Sequence, residues 1–161
     1  RAVVLHPSKV ARALRGGVRR GAYELGSGKA RIARPGADFT MGASGRMVHE
    51  ALKAAEALTE LGIDAEVIDA RSIQPFDIDS VLESIRKTHR GLVVHEAVEF
   101  GGIGGEIVAQ ITDRAFDYLD APIGRVAAPF APVPFSPALE KLYVPDADNI
   151  IAKVKQILGR E

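Results

Sequence analysis

The chain has 161 residues, of which 47% are hydrophobic, and its 21 basic side chains balance 21 acidic ones. This content is sufficient for one buried core, so we expect one domain with an additional arm. The zero net charge gives no general attraction to nucleic acid or to an anionic membrane. No apolar run approaches the roughly 20 residues of a membrane-spanning helix. The absence of cysteine excludes disulfides and cysteine-bound metals.

Basic side chains concentrate in the first 35 residues, where Lys and Arg outnumber the single acid, Glu24. Gly, Arg and Ser recur there without sustained periodicity, so we interpret residues 1–36 as a basic linker or arm. Its apolar residues 2–5 are typical of the tail of a strand, and we expect a further domain upstream of residue 1. The globular domain is expected at residues 37–161.

Apolar side chains at three- and four-residue intervals predict the most regular helix, which begins at Met47 and ends at Leu61, before Gly62. Short strands are expected on either side of it, at residues 39–43 and 65–68. The chain therefore enters its globular part as a strand, a helix and a second strand.

The second half of the chain continues this alternation. Asp77 or Asp79 can cap a helix with an apolar stripe, and a strand follows at residues 92–94. Another strand is expected at residues 123–127, ahead of a proline-rich extended crossing and a final helix. The pattern predicts an α/β fold with a mostly parallel, doubly wound sheet and helices on both faces.

Four glycines follow the strand at residues 92–94 and open a further helix. They are Gly101, Gly102, Gly104 and Gly105. A dinucleotide-binding fingerprint would occupy this position, but its spacing requires a glycine where Ile107 stands. We therefore interpret the glycines as a helix start that packs closely on the sheet or on a neighbouring subunit.

His95 and Glu96 follow the same strand, at the sheet edge where α/β proteins place binding residues. They are candidates for lining a cleft or an interface, although neighbouring strand residues point to opposite faces. The four histidines lack metal-ligand spacing, and no Ser-His-Asp order or phosphate-binding Gly-Lys-Ser/Thr motif occurs. We expect no catalytic, cofactor-binding or metal-binding residue in this chain.

Ordered blocks of sequence between about residue 25 and residue 158 carry a family resemblance. The most specific blocks are Gly45–Ala55, Ala65–Asp77, Val93–Ala97, Leu119–Ile123 and Pro132–Ser136. They resemble the C-terminal half of the β subunit of thiamine-diphosphate-dependent 2-oxo acid dehydrogenases, the group that acts on pyruvate, branched-chain 2-oxo acids or acetoin. Residues 41–44, Met-Gly-Ala-Ser, depart from the bulky aliphatic residues usual in that family, so we expect looser packing of the first strand.

This resemblance implies a fold like the transketolase C-terminal domain and a parent oxidoreductase that decarboxylates a 2-oxo acid and transfers the acyl group to lipoyl groups. In that family, thiamine diphosphate and magnesium lie between the α subunit and the N-terminal, pyrimidine-binding domain of β. That domain is the one we expect upstream of residue 1. We therefore expect this chain alone to be inactive, to bind no cofactor and to serve association.

The resemblance also implies partners and a location. The partners are a second copy related by a two-fold axis, the α subunit, and the small basic binding domain of an acyltransferase. In the block that begins at Leu119, the acid at the family's docking position is Asp120, and Asp113, Asp117 and Glu161 could extend an acidic patch. We expect neither a nucleic acid nor a membrane partner, and a bacterial cytoplasmic location or, alternatively, the mitochondrial matrix.

Two alternatives remain open from the sequence. One is a stand-alone binding or regulatory module that has kept the fold. The other is the C-terminal domain of a single-chain transketolase-type enzyme, against which the blocks at residues 119–122 and 132–135 favour the dehydrogenase group.

Overall fold

A computed structural model describes residues 28–160, together with the backbone of two dipeptides closer to the N-terminus. These dipeptides are β1 (Val3–Val4) and β2 (Glu24–Leu25), which pair antiparallel as a separate two-stranded ladder. The remainder of the predicted arm up to residue 27, and the docking candidate Glu161, lie outside the described residues.

A five-stranded sheet forms the centre of the domain. Its strands are β3 (Arg31–Arg34), β4 (Phe39–Ala43), β5 (Ala65–Asp69), β6 (Gly91–Val98) and β7 (Gly124–Ala128). The spatial order is β3-β5-β4-β6-β7, in which β3 is antiparallel and the other four strands are parallel. The chain begins the parallel part in the middle and extends it in both directions.

Helices cover both faces of this sheet. They are α1 (Met47–Glu60), α2 (Ile78–Thr88), α3 (Ile103–Ala115), α4 (Pro137–Tyr143) and α5 (Ala147–Leu158). Apolar residues of α1 and α5 form one buried cluster with the sheet, and those of α2 and α3 form the other. The predicted α/β fold is confirmed. Within the part of the chain that the structure describes, no helix has both the length and the apolar character to cross a membrane.

Side-chain alternation on the central strands explains the two clusters. Phe39 and Met41 of β4 face α1, whereas Val93 of β6 packs with α2 and α3. Residues 91–95 of β6 are all buried, as expected for a parallel strand with helices on both sides. This arrangement leaves only the two ends of the sheet for polar groups.

Asp77 connects the residue before β3 to the start of α2. Its side chain accepts hydrogen bonds from the Ala30 N–H at 3.0 Å and from the Ser80 hydroxyl at 2.9 Å, and it caps α2. Burial acts to raise the pKa of Asp77, but the hydrogen bonds from Ala30 and Ser80 outweigh burial and hold this pKa below its usual value. Of the two candidate caps, Asp77 is therefore the one used.

Strand β3 was not predicted; it lies near the end of the segment that we interpreted as a basic linker or arm, residues 1–36. Its last residue, Arg34, donates hydrogen bonds to the Ala65 carbonyl, to Thr59 Oγ1 at 3.1 Å and to Asp64 Oδ1 at 3.1 Å. An edge strand needs little apolar content, and these bonds are made to residues distant in sequence. Local periodicity therefore gave no sign of it.

A correction concerns the proline-rich crossing, which was predicted to be extended. It contains the short helix α4, whose first residue is Pro137. Proline is compatible with this position because the N–H that it lacks would have no partner inside the helix. Proline content alone was a misleading signal here.

A buried polar network joins β4, β5 and α2 near the amino ends of the strands. Glu66 is buried and accepts hydrogen bonds from Ser84 Oγ and, at 2.5 Å, from Lys87 Nζ. The Thr40 hydroxyl bonds to the Ser84 and Thr88 hydroxyls, both at 2.6 Å. Because buried polar groups are costly without partners, the network stabilises the fold only as a complete set.

Replacing Ser84 tests this network. Ser84→Ala removes the hydroxyl between Thr40 and Glu66, so we expect the free energy of unfolding to fall by about 1–3 kcal/mol. Ser136→Ala is the matched control, because Ser136 is exposed and makes no capping hydrogen bond; its effect should stay within about 0.5 kcal/mol. Urea denaturation measures both, and equal values for the two variants would contradict the role of the network.

Candidate functional site

The carboxyl edge of the sheet contains a topological switch point, where the crossovers from two neighbouring strands go to opposite faces. After β4, helix α1 crosses on one face, and after β6, helix α3 crosses on the other. Open α/β sheets bind ligands in the crevice at such a point. Ser44 follows β4, whereas His95 lies within β6, which extends to Val98 and not only to residue 94 as expected; both line a cavity at this crevice.

His95 is the unusual residue of this edge. Its side chain is only 3% exposed, and neither Nδ1 nor Nε2 has a hydrogen-bond partner among the described residues. Glu96 is exposed, so the two neighbouring candidates do not share a site. A buried imidazole without partners is rare in native structures and calls for an explanation.

Two of the four predicted glycines allow the close packing of this imidazole. A Cβ atom at Gly102 would lie 2.8 Å from His95 Cε1, and one at Gly104 would overlap His95 Nε2. Gly101 has a φ of 74°, in the left-handed region, and turns the chain into α3. Gly105 is less constrained, since a Cβ atom there would meet only Arg125 Nη1, at 3.6 Å.

The electrostatic surroundings keep His95 neutral. Burial lowers its pKa, because the charged imidazolium loses its hydration, and the nearby positive charge of Arg125 lowers the pKa further. The Glu99 carboxylate and a polar contact with the Ala97 backbone, which falls short of hydrogen-bond geometry, act in the opposite direction but do not reverse the shift. His95 therefore enters the neutral pH range as an uncharged ring with one donor and one acceptor nitrogen.

A small apolar cavity adjoins the His95 ring. Its volume is ≈ 20 Å³, enough for about one water or methyl group, and its walls include Ile103 and Ile107 of α3. Gly42 and Ser44 also line it, and a Cβ atom at Gly42 would have no neighbour within 4 Å. The cavity thus lies against the small residues for which we expected looser packing.

Arg125 and Glu99 form an ion pair beside the first turn of α3. Arg125 Nη2 lies 3.4 Å from Glu99 Oε1, and Arg125 Nη1 donates to the Glu99 carbonyl at 3.1 Å. Both side chains are partly exposed. This pair was not predicted from the sequence, since Glu99 follows β6 and Arg125 lies in β7, 26 residues further along the chain.

The acidic docking candidates lie at the other end of α3. Asp120 is half-exposed, at 54%, and pairs with Arg90 at 3.2 Å. Asp113 and Asp117 are exposed on the segment that leads to it. A groove of ≈ 380 Å³, whose lining includes Phe116, borders Asp120. Asp120 is therefore accessible but already has an internal partner.

Sequence reasoning missed a group of exposed apolar side chains, most of them in the segment between β7 and α5 and one, Phe100, after β6. Phe100 and Phe130, each 73% exposed, stack edge to face with 5.1 Å between ring centroids. The exposed apolar side chains that we name the aromatic face are Phe100, Phe130, Val133, Phe135, Leu139 and Leu142. Prolines interrupt this segment, so no periodicity distinguished its exposed residues from buried ones.

The described residues contain no cluster of three or more His, Asp or Glu side chains that could hold a metal ion. What the carboxyl edge offers is a neutral imidazole, an Arg side chain and the start of a helix. These groups can bind and orient a polar partner.

The glycine pair at the start of α3 provides a direct test of the packing on His95. Gly104→Ala should lower the free energy of unfolding by about 1–3 kcal/mol, because its Cβ atom overlaps the buried ring. Gly105→Ala, one residue further, should be neutral or stabilise by up to about 1 kcal/mol through helix propensity. Thermal unfolding of both variants measures the difference, and a well-tolerated Gly104→Ala would refute the contact.

Comparison with known proteins agrees with this architecture. The family "Transketolase, C-terminal domain" matches residues 28–150. The β subunit of the acetoin:2,6-dichlorophenolindophenol oxidoreductase of Bacillus subtilis (strain 168) is 46% identical over 137 residues, which cover 85% of this chain and 40% of that protein. The pyruvate dehydrogenase E1 component subunit beta of the same organism is 42% identical over 156 residues, covering 97% and 48%.

A solved structure with a similar fold is described as a split gene transketolase, an inactive tetramer of four β chains. It superposes with a TM-score of 0.72 at 29% identity and covers 85% of this chain and 43% of that one. The chain thus spans less than half the length of each of these relatives. The chain belongs to the transketolase C-terminal domain family and is homologous to the β subunits of acetoin and pyruvate dehydrogenases.

Proposed function

We propose that the chain is the association domain of the β subunit of a thiamine-diphosphate-dependent 2-oxo acid dehydrogenase of the pyruvate or acetoin type. The similarity to β subunits, at 42–46% identity, supports this parent enzyme over a transketolase, where the identity is 29%. The parent reaction is the oxidative decarboxylation of a 2-oxo acid, with acyl transfer to lipoyl groups, in the bacterial cytoplasm. In that enzyme, the proposed role of this chain is to hold the subunits together.

The exposed aromatic face is the observation that carries the association role. Monomeric proteins rarely leave several large apolar side chains exposed together, and aromatic residues are enriched in protein interfaces. The Phe100 and Phe130 rings come from the segments after β6 and β7, and Tyr143 of α4 donates to the Ala131 carbonyl at 2.9 Å. Contacts between separate segments therefore hold the two phenylalanine rings together and tie α4 to the crossing before it.

A second copy of the chain is the occupant that we assign to this face. The structural relative is described as a tetramer of β chains, which is an assembly of identical chains. A two-fold contact is self-complementary, so each copy would present the same aromatic face to the other. The α subunit of the parent enzyme would then bind elsewhere on the β dimer.

The described residues do not fit a thiamine diphosphate and magnesium site. Magnesium requires several oxygen ligands, and no suitable cluster of carboxylates occurs within residues 28–160. The cavity beside His95, at ≈ 20 Å³, is far too small for the cofactor. We therefore assign the cofactor to the α subunit and the upstream domain of β, and derive no chemical step from this chain.

We further propose that Asp120 docks the basic binding domain of the acyltransferase. Its carboxylate is half-exposed beside a groove that contains the exposed Phe116, so a charge and an apolar contact adjoin. Arg90 is its present partner, at 3.2 Å. An incoming Arg would share or replace this partner, and exposed Asp113 and Asp117 add negative charge along the approach.

Charge insertion in the aromatic face tests the association role. Phe130→Glu should convert a dimer into a monomer, because the interface would have to bury an unpaired carboxylate. Phe116→Glu is the matched control, since Phe116 is similarly exposed, at 68%, but lies beside the docking groove. Sedimentation velocity of the full chain at about 100 µM, well above typical assembly affinities, measures the outcome.

Two results would contradict this assignment. One is a wild-type chain that sediments as a monomer under these conditions. The other is an equal loss of association in both glutamate variants, which would indicate general destabilisation or a different interface.

Neutralising Asp120 tests the docking role. Asp120→Asn should weaken binding of the acyltransferase domain about tenfold or more, since a charge-assisted hydrogen bond contributes about 1.5–3 kcal/mol. Asp148→Asn, an exposed acid at the start of α5, should leave binding unchanged. Calorimetric titration at low and high salt measures both; identical affinities for the two variants would place the docking site elsewhere.

A further inference from the structure

Strand β7 forms one edge of the five-stranded sheet, and its outer side has no partner strand within the part of the chain that the structure describes. We propose that this edge binds an extended acidic segment of another protein, which adds to the sheet as a further strand. Main-chain hydrogen bonds supply the affinity, and a positive charge beside the edge selects the segment. The site requires neither a second copy nor the acyltransferase domain, so its test is independent of the proposed function.

The backbone groups of β7 alternate between its two sides. The Ala128 carbonyl accepts a hydrogen bond from the Glu99 N–H at 2.8 Å, so the backbone groups of Ala128 point toward β6. Because this direction alternates along a strand, the N–H and C=O groups of Arg125 and Ala127 point to the outer side. Among the described residues, these groups make no backbone hydrogen bond outside the sheet. The edge therefore offers a donor and an acceptor at each of these two residues.

A groove beside this edge leaves room for the added strand. Its volume is ≈ 520 Å³, and it is lined by residues 125–127 of β7 and, on the opposite side, by Ala152 and Lys153 of α5. This volume is typical of a ligand-binding cleft. Pro129 also lines the groove and has no N–H to donate, so strand pairing ends before it. The added segment is therefore short, about the length of β7 itself, which has 5 residues.

Lys153 gives the groove a net positive charge. The other charged residues of its lining, Arg125 and Glu99, pair with each other at 3.4 Å. Lys153 donates to the neutral Gln156 side chain at 2.9 Å and pairs with no acid within residues 28–160. Its Cε atom lies 3.4 Å from the position of a Cβ atom at Gly124, so its side chain lies against β7. An acidic side chain on the added strand would pair with this ammonium group.

The charges oppose two other occupants of the groove. The chain's own residues 1–27 contain several Lys and Arg side chains and a single acid, Glu24, so Lys153 would repel them. A second copy that paired its β7 antiparallel would bring the two copies of Arg125 to neighbouring positions on one face of the sheet. Like charges at such positions destabilise strand pairing. An acidic segment of another protein is free of both conflicts.

Nuclear magnetic resonance of the full chain is the direct test, with a blocked six-residue peptide of alternating Val and Glu as the probe. Saturating peptide should slow hydrogen exchange of the Arg125 and Ala127 amides, because both become hydrogen-bonded. A peptide with Lys in place of Glu should bind about fivefold more weakly or less. The Val and Glu peptide methylated on its backbone nitrogens should not bind. Absence of saturable binding, or equal binding of either control peptide, would overturn the site.

Charge reversal on α5 tests the selection of an acidic segment. Lys153→Glu should weaken binding of the Val and Glu peptide about tenfold or more, because like charges would then face each other across the groove. Lys155→Glu is the matched control, since Lys155 lies on the same helix but does not line the groove. Its affinity should stay within about twofold of the wild type. Equal weakening by both variants would indicate an effect of net charge alone and would contradict the site.

Substitution of Ala127 tests the strand pairing itself. Ala127→Pro removes an outward N–H, which an edge strand tolerates, and should abolish peptide binding, whereas Ala127→Val keeps the donor and should retain it. If Ala127→Pro fails to fold, the methylated peptide tests the same hydrogen bonds from the ligand side. Phe130→Glu should bind the peptide like the wild type, because Phe130 does not line the groove. Unchanged binding by a folded Ala127→Pro variant would overturn the proposal.

Discussion

The closest contact at the carboxyl edge depends on two glycines, which carry only a hydrogen atom where other residues have a side chain. Because Gly102 and Gly104 lack a Cβ atom, the first turn of α3 rests directly on the His95 imidazole. That contact buries the ring, lowers its pKa and brings the helix start beside Arg125. The position of α3 over the sheet, and with it one of the two hydrophobic clusters, follows from the same close approach.

Elements whose pattern is local were predictable from the sequence. The apolar stripe of α1 repeats over four turns, so its position and exposed face could be predicted from spacing alone. The alternation of strands and helices likewise gave the doubly wound fold. Strand β3 was missed because its stability comes from Arg34 and from pairing with β5, far away in the chain. Helix α4 was missed because proline was taken to exclude a helix that it only begins.

The site was predictable in its position but not in its chemistry. The rule that α/β proteins bind ligands beyond the carboxyl ends of strands identified His95 and the glycines. It could not show that both ring nitrogens lack partners, since this depends on every neighbour in space. The ion pairs Arg90–Asp120 and Arg125–Glu99 were missed for the same reason. The exposure of Phe100 and Phe130 is a property of tertiary structure as well.

The polar network at the amino ends of the strands has a consequence for sequence change. Lys87 is half-exposed and looks like an ordinary surface residue, yet its ammonium group is the charged partner of the buried Glu66 carboxylate. Loss of that charge, by substitution or by acetylation, would leave a carboxylate unpaired inside the fold. Natural variation at position 87 should therefore be restricted to Lys and Arg unless position 66 changes with it. Solvent exposure alone would underestimate this constraint.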